Sequence, residues 1–193
     1  MNTLTFPTRF ISIHEAGHAA LAYHLRRNVE VIRILEEEGY GYVRFTEKKY
    51  DSCFGAHDQF AELMDKLTNL RRDAIIGLGG LAAEAIVMGL PVDAARPYDD
   101  PEFKEIERLA EQFGGGIKEY RNQIVDDAWV EACTFLRTPC MWAGVRALNK
   151  ALRTARFIRG PEGRRIFSGA IIKHKNRIDS AVEKLRFKNA CAV

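Results

Sequence analysis

The chain has 193 residues, 47% of them hydrophobic, and a formal net charge of only +3. That length supports one domain with a sizeable core, and that composition excludes a disordered or fibrous chain. The small and scattered charge gives no reason to expect a nucleic-acid partner.

The first element is a helix from Ile11 to Arg27, with an apolar stripe of Ile13, Ala16, Gly17, Ala20, Leu21 and Leu25. Ser12 is placed to cap it, and Glu15 three residues later completes a capping-box pattern. Val29–Leu35 and Tyr40–Phe45 are short runs of β-branched and aromatic residues joined by Glu36–Gly39, which predicts a hairpin. Phe54 to Asn69 is amphipathic and reads as a second helix. Arg71 to Met88 reads as a third, ended near Gly89 and Pro91. The apolar stretch Ala74–Val92 has a membrane-span length, but Glu84 in its middle and four glycines favour a buried helix.

Pro91 to Asp100 is a turn-rich loop. Asp100 then caps a helix from Pro101 to Gln112, with proline at the first helical position. Gly114–Gly116 is a break. Glu119–Arg137, Trp142–Ile158 and Ser168–Leu185 are further helices, with Arg159–Arg164 as a loop. The expected fold is mostly α with one small β-hairpin: a single compact domain over 1–193, with the first helix at its centre. The final segment is rich in Lys173, Lys175, Arg177, Lys184, Arg186 and Lys188. It reads as a solvated helix face or as a docking surface for an acidic partner.

Cys53, Cys133, Cys140 and Cys191 include no C-x-x-C pair, and no secretory signal opens the sequence. The expected setting is a reducing cytoplasm.

His14-Glu15-Ala16-Gly17-His18 is an H-E-x-x-H motif on a predicted helix. Positions i and i+4 share a helix face, so both imidazoles can reach one zinc ion, and Glu15 can serve as general base beside it. The bland alternative is a pair of helix histidines with Glu15 as a capping or surface residue. Zinc needs a third protein ligand. His24 falls off the His14/His18 face, and His57 and His174 have no companion pattern. The acidic cluster Asp99-Asp100-Pro101-Glu102, at a helix mouth, is the better place to look.

Two blocks carry a resemblance. HEAGHAALAYHL, from His14 on, is similar to the zinc-binding helix of the FtsH-type peptidases, the proteolytic part of the membrane-bound AAA+ proteases. GLGGLAAEAIVMG (Gly77–Gly89) resembles that family's glycine-alanine-glutamate helix. In the family a later helix opens with an aspartate that is the third zinc ligand. Aligning Leu109-Ala110 on that helix's Leu-Ala pair puts Glu102 on the aspartate and Asp100 on the small capping residue. The resemblance therefore implies Glu102 as third ligand, with Asp100 and Asp99 as alternatives. Glutamate is a known partner of two histidines in zinc peptidases. Glu84 becomes a residue that can orient a ligand imidazole, or simply a helix glutamate paired with Arg71 or Arg72. The resemblance spans about 10–165 and leaves 166–193 as a C-terminal helical extension.

The function implied is a zinc-dependent metalloendopeptidase, with one zinc ion, acting on unfolded or flexible polypeptide. No G-x-x-x-x-G-K-[ST] loop is present, so hydrolysis is expected to need no ATP. A homo-oligomer or a separate ATPase partner fits this reading, and no membrane span is expected. The competing expectation is a peptidase-like binding or regulatory module with weak or no turnover, favoured by the altered third ligand.

Overall fold

The computed structural model describes residues 8–46, 59–92, 100–113 and 118–190. The elements in chain order are α1 (Thr8–His24), β1 (Val29–Leu35), β2 (Tyr40–Phe45), α2 (Gln59–Gly77), α3 (Gly79–Val87), α4 (Pro101–Phe113), α5 (Lys118–Arg137), α6 (Pro139–Ala155), β3 (Phe157–Arg159) and α7 (Gly160–Ala190). The fold is mostly helical with one small antiparallel sheet, and α1 runs through the middle. It packs on α2, α3, α5, α6, α7 and both hairpin strands.

Ser12 is not a cap. The helix begins earlier, at Thr8, and Ser12 is fully buried, donating to Asn149 Oδ1 of α6 at 2.6 Å. A hydroxyl committed across the core cannot serve its own helix mouth. The capping-box role for Glu15 falls with it. The helix also stops at His24, short of Arg27, because Arg26 takes a left-handed conformation (φ +58°) that ends it.

The hairpin forms over the expected residues, with Gly39 supplying the positive φ of the turn. It is not alone. Phe157–Arg159, expected to end one helix and open a loop, instead pairs with Val31–Arg33 of β1. Arg156 has φ +59° and closes α6, which releases these residues to the sheet. The presumed loop at Arg159–Arg164 is therefore the start of α7, with Pro161 in its first turn, where a missing N–H costs nothing. Gly160 lies against the backbone of β1, where an added Cβ would sit 1.7 Å from Val29 O.

The boundary between the second and third helices also moves. The expected break near Leu70 is absent, and α2 runs on to Gly77, with one turn residue, Leu78, before α3. The hydrogen bonds Leu78 N to Ala74 O and Ala82 N to Leu78 O carry the ladder nearly through. The bend falls where glycine permits close neighbours. A Cβ on Gly77 would meet Ile106 of α4 at 2.5 Å, and one on Gly17 would meet Gly79 O at 2.2 Å. Residues 54–58 of the expected second helix lie outside the described residues.

The core joins Leu21, Ile32, Leu78, Phe103, Trp129, Leu136, Leu148 and Leu152. Trp129 is fully buried and donates its indole N–H to Val92 O at 2.9 Å. Among the described residues, no helix is long and apolar enough to cross a membrane. Cys133 and Cys140 are free thiols, and Cys53 and Cys191 lie outside the described residues.

Gly17→Ala tests the α1–α3 contact. Alanine gains about 1 kcal/mol of helix propensity over glycine, but the new methyl meets backbone, which cannot rotate away. Overpacking costs about 1–3 kcal/mol or more. A net loss of stability is expected, read as a lower urea midpoint at unchanged m-value.

Candidate metal site

The α1–α3 contact sets the site. His14 and His18 share the face of α1 that meets α3 and the end of α2. Gly80 lies directly on the His14 ring, where an added Cβ would be 2.3 Å from Nε2. His14 Nδ1 donates to Glu84 Oε1 of α3 at 3.2 Å, and His18 Nδ1 donates to Ile76 O of α2 at 2.7 Å. The bond to Ile76 O defines the tautomer of His18. A carbonyl can only accept, and a carboxylate accepts when ionised. His18 Nε2 therefore carries a lone pair in the neutral ring and faces His14 Nε2 at 3.0 Å, while His14 lies between two carboxylates, Glu84 at Nδ1 and Glu102 at Nε2.

Glu102 completes the triangle. Asp100 caps α4 by accepting from Glu102 N at 2.8 Å, and Lys104 N donates to Asp100 O at 3.1 Å. The cap turns Asp100 to its own helix, while Glu102 reaches out, its Oε1 3.0 Å from His14 Nε2 and 3.5 Å from His18 Nε2. The three ligand atoms of His14, His18 and Glu102 lie within 4.8 Å of one another and can hold a metal ion. Asp99 and His57 lie outside the described residues. His24 packs on the Phe135 ring, off the His14/His18 face. Arg71 pairs with Glu131, so it is not the partner that holds Glu84.

Glu15 is 4% exposed, and its Oε2 is buried without a hydrogen-bond partner. Gly41 of β2 covers it so closely that a Cβ there would sit 2.9 Å from Oε1. A cleft of about 580 Å³ opens beside Glu15 and His18, walled by Tyr42, Val43, Phe45, Ile76 and Ile106. A smaller one of about 210 Å³ lies on the other side, against His14, Glu84, Tyr40 and Leu81, and Glu15 borders both.

The electrostatics follow from the burial. Desolvation raises the Glu15 carboxyl above its ordinary value, against the pull of His18 and His14. Burial alone would lower the His14 imidazole, but hydrogen bonds to Glu102 and Glu84 prevail and push it up to about 10. Burial would likewise raise Glu102, yet its bonds to the two imidazoles hold it well below the usual carboxylate range. Without a metal, a proton on His14 is the cation that the three converging acceptors require.

Sequence reasoning missed the Ile76 carbonyl, the cover provided by Gly41 and the contact of Gly80 with the His14 ring. A carbonyl has no sequence signature. Gly17 together with Gly77, Gly79 and Gly80 was the available signal for the close approach. No protein-family model matches the chain, and a search of curated proteins finds no match.

The shifts set a pH dependence for chelator-treated protein. Glu102, depressed in the folded state, stabilises above the ordinary carboxylate range and loses that contribution as pH falls. His14, raised, stabilises fully below about 6.5 and loses its contribution as pH climbs toward about 10. Between pH 6.5 and 10 the urea midpoint is expected to fall, with a flatter profile in Glu102→Gln. An equal slope in both proteins would remove the His14–Glu102 pair as its cause.

Proposed function

We propose that this chain is a zinc-dependent metalloendopeptidase of FtsH-like type that hydrolyses unfolded or flexible polypeptide. The observation that carries the reading is the convergence of His14 Nε2, His18 Nε2 and Glu102 Oε1, with edges of 3.0, 3.0 and 3.5 Å, beside a buried Glu15. A tetrahedral zinc with bonds of about 2.0–2.1 Å separates its donors by roughly 3.3 Å, so this donor set fits without rearrangement. Two imidazoles and one carboxylate are also a common catalytic zinc set.

His14, His18 and Glu102 would hold the ion, with Glu84 and the Ile76 carbonyl keeping each imidazole in the required tautomer. Bound zinc polarises a carbonyl oxygen and makes water acidic near neutral pH. Glu15 takes a proton from the attacking water and delivers it to the leaving amide nitrogen. Its burial makes it a stronger base than an exposed glutamate.

The polypeptide substrate is argued from the sheet. The strand order β2-β1-β3 leaves the outer edge of β2 unpaired among the described residues. Gly41, Tyr42, Val43 and Phe45 of that strand line the larger cleft. An extended chain can add to such an edge by main-chain hydrogen bonds and lay one peptide group beside Glu15. A binding module without turnover is the second reading, supported by glutamate standing where the resembled family has aspartate.

About one equivalent of zinc per chain is expected by elemental analysis, lost in His14→Ala and His18→Ala and retained in Glu15→Gln. Glu15→Gln is expected to abolish ATP-independent hydrolysis of casein. Metal retained in both histidine variants would remove the site. Zinc bound with no hydrolysis by the wild type would select the binding module.

The third ligand has its own test. Glu102→Ala is expected to weaken zinc binding far more than Asp100→Ala. The latter loses a cap, worth about 1 kcal/mol of stability, and leaves metal affinity nearly intact. Zinc titration against a competing chelator, with parallel urea unfolding, separates the two effects. The reverse order would reassign the ligand to Asp100.

A further inference from the structure

The outer part of the last helix exposes the end of an apolar stripe that the candidate metal site does not use. Phe167, Ile171, His174, Ile178 and Ala181 follow one another at spacings of four and three along α7, and the sequence continues the pattern at Leu185. This is the a/d repeat of a helix made to pack lengthwise on another helix. Its first members use it within the chain. Phe167 is 4% exposed and lies over Gly144 of α6, and Ile171 packs on the core. The same face then opens to solvent, with Ile178 44% exposed and Ala181 exposed.

The reason is the length of the neighbour. Gly144 is close to the start of α6 at Pro139, so α7 outruns α6 within about two turns beyond Phe167. From Lys173 to Ala190 the helix continues for roughly 27 Å at 1.5 Å per residue. A helix with only part of its stripe covered gains little from burial, and isolated helices of this length are marginal in water. Within the seam, His174 Nε2 is withdrawn from solvent and has no hydrogen-bond partner.

The charges beside the seam select the occupant. In heptad register, Lys175 flanks it on one side and Arg177 on the other, and the sequence adds Lys184 to the second flank. A second copy of this chain would bring the same basic flanks face to face. A lipid surface is disfavoured by direction, because the seam lies on the side of α7 that Phe167 turns to the body. A flat plane laid there would meet α6.

We propose that the outer half of α7, beyond His174, docks an acidic amphipathic helix of a partner protein, side by side along Ile178 and Ala181. Glutamate or aspartate flanking the partner's own seam would face Lys175 and Arg177. The proposal does not depend on the metal site.

The test uses the full chain and two labelled four-heptad peptides, with isoleucine and leucine in the seam and either glutamate or lysine at both flanking positions. Fluorescence anisotropy is expected to show binding of the glutamate peptide only. Ile178→Asp should weaken it at least tenfold, and Lys175→Glu with Arg177→Glu should switch preference to the lysine peptide. These positions are exposed, and unchanged thermal melting would confirm folded variants. No binding, equal binding of both peptides, or binding indifferent to Ile178→Asp would overturn the proposal. So would a dimer in sedimentation that Ile178→Asp dissolves, or binding to phosphatidylserine vesicles lost in the same variants without binding of the glutamate peptide.

Discussion

Everything at the candidate metal site depends on how closely α1 approaches α3. Gly17 meets the backbone of Gly79, and Gly80 lies on the imidazole of His14. With side chains at these positions the helices would stand apart by the thickness of a methyl group or more. Glu84 would then lose His14 Nδ1, and His18, held by Ile76 O at the end of α2, would be released from the same frame. The glycines weaken both helices locally. Backbone packed on backbone offsets that loss and holds two imidazoles at a tight tolerance.

The second constraint is the mouth of α4. Pro101 pre-sets the first helical residue, and Asp100 gives its carboxylate to the amide of Glu102. Once the cap is engaged, Glu102 is the acidic side chain of that mouth left to leave the helix, and it leaves toward His14 and His18. Capping the helix and reaching the two imidazoles are thus separate tasks of two acidic residues two positions apart. Their neighbours oppose each other in charge. Glu102 is drawn down by the imidazoles, Glu15 is pushed up by its burial, and His14 is pushed up to about 10 by the carboxylates on both sides.

The sheet and the last helix place two further surfaces around that centre. β3 pairs with β1 and leaves β2 as the open edge beside Glu15. α7 begins against β1, continues over α6, and then outruns it with its seam uncovered.

Much of this was legible in the residues. The H-E-x-x-H spacing, the hairpin and the Asp100-Pro101 helix start are local patterns, because helix periodicity, turn chemistry and capping are decided by near neighbours. What local pattern could not decide was anything set by a distant partner. Ser12 reads as a cap until Asn149, far along the chain, takes its hydroxyl. Phe157 and Ile158 read as helix and Arg159 as loop until β1 offers an edge and Arg156 turns left-handed to reach it. The helix break belongs at Leu78 because Ile106 and α1 press on the glycines there. Glu84 is equally well paired with an arginine or a histidine by sequence, and only the α1–α3 contact brings it to His14. Secondary structure and ligand chemistry are local properties, whereas strand partners, tautomers and burial exist only once remote segments have met.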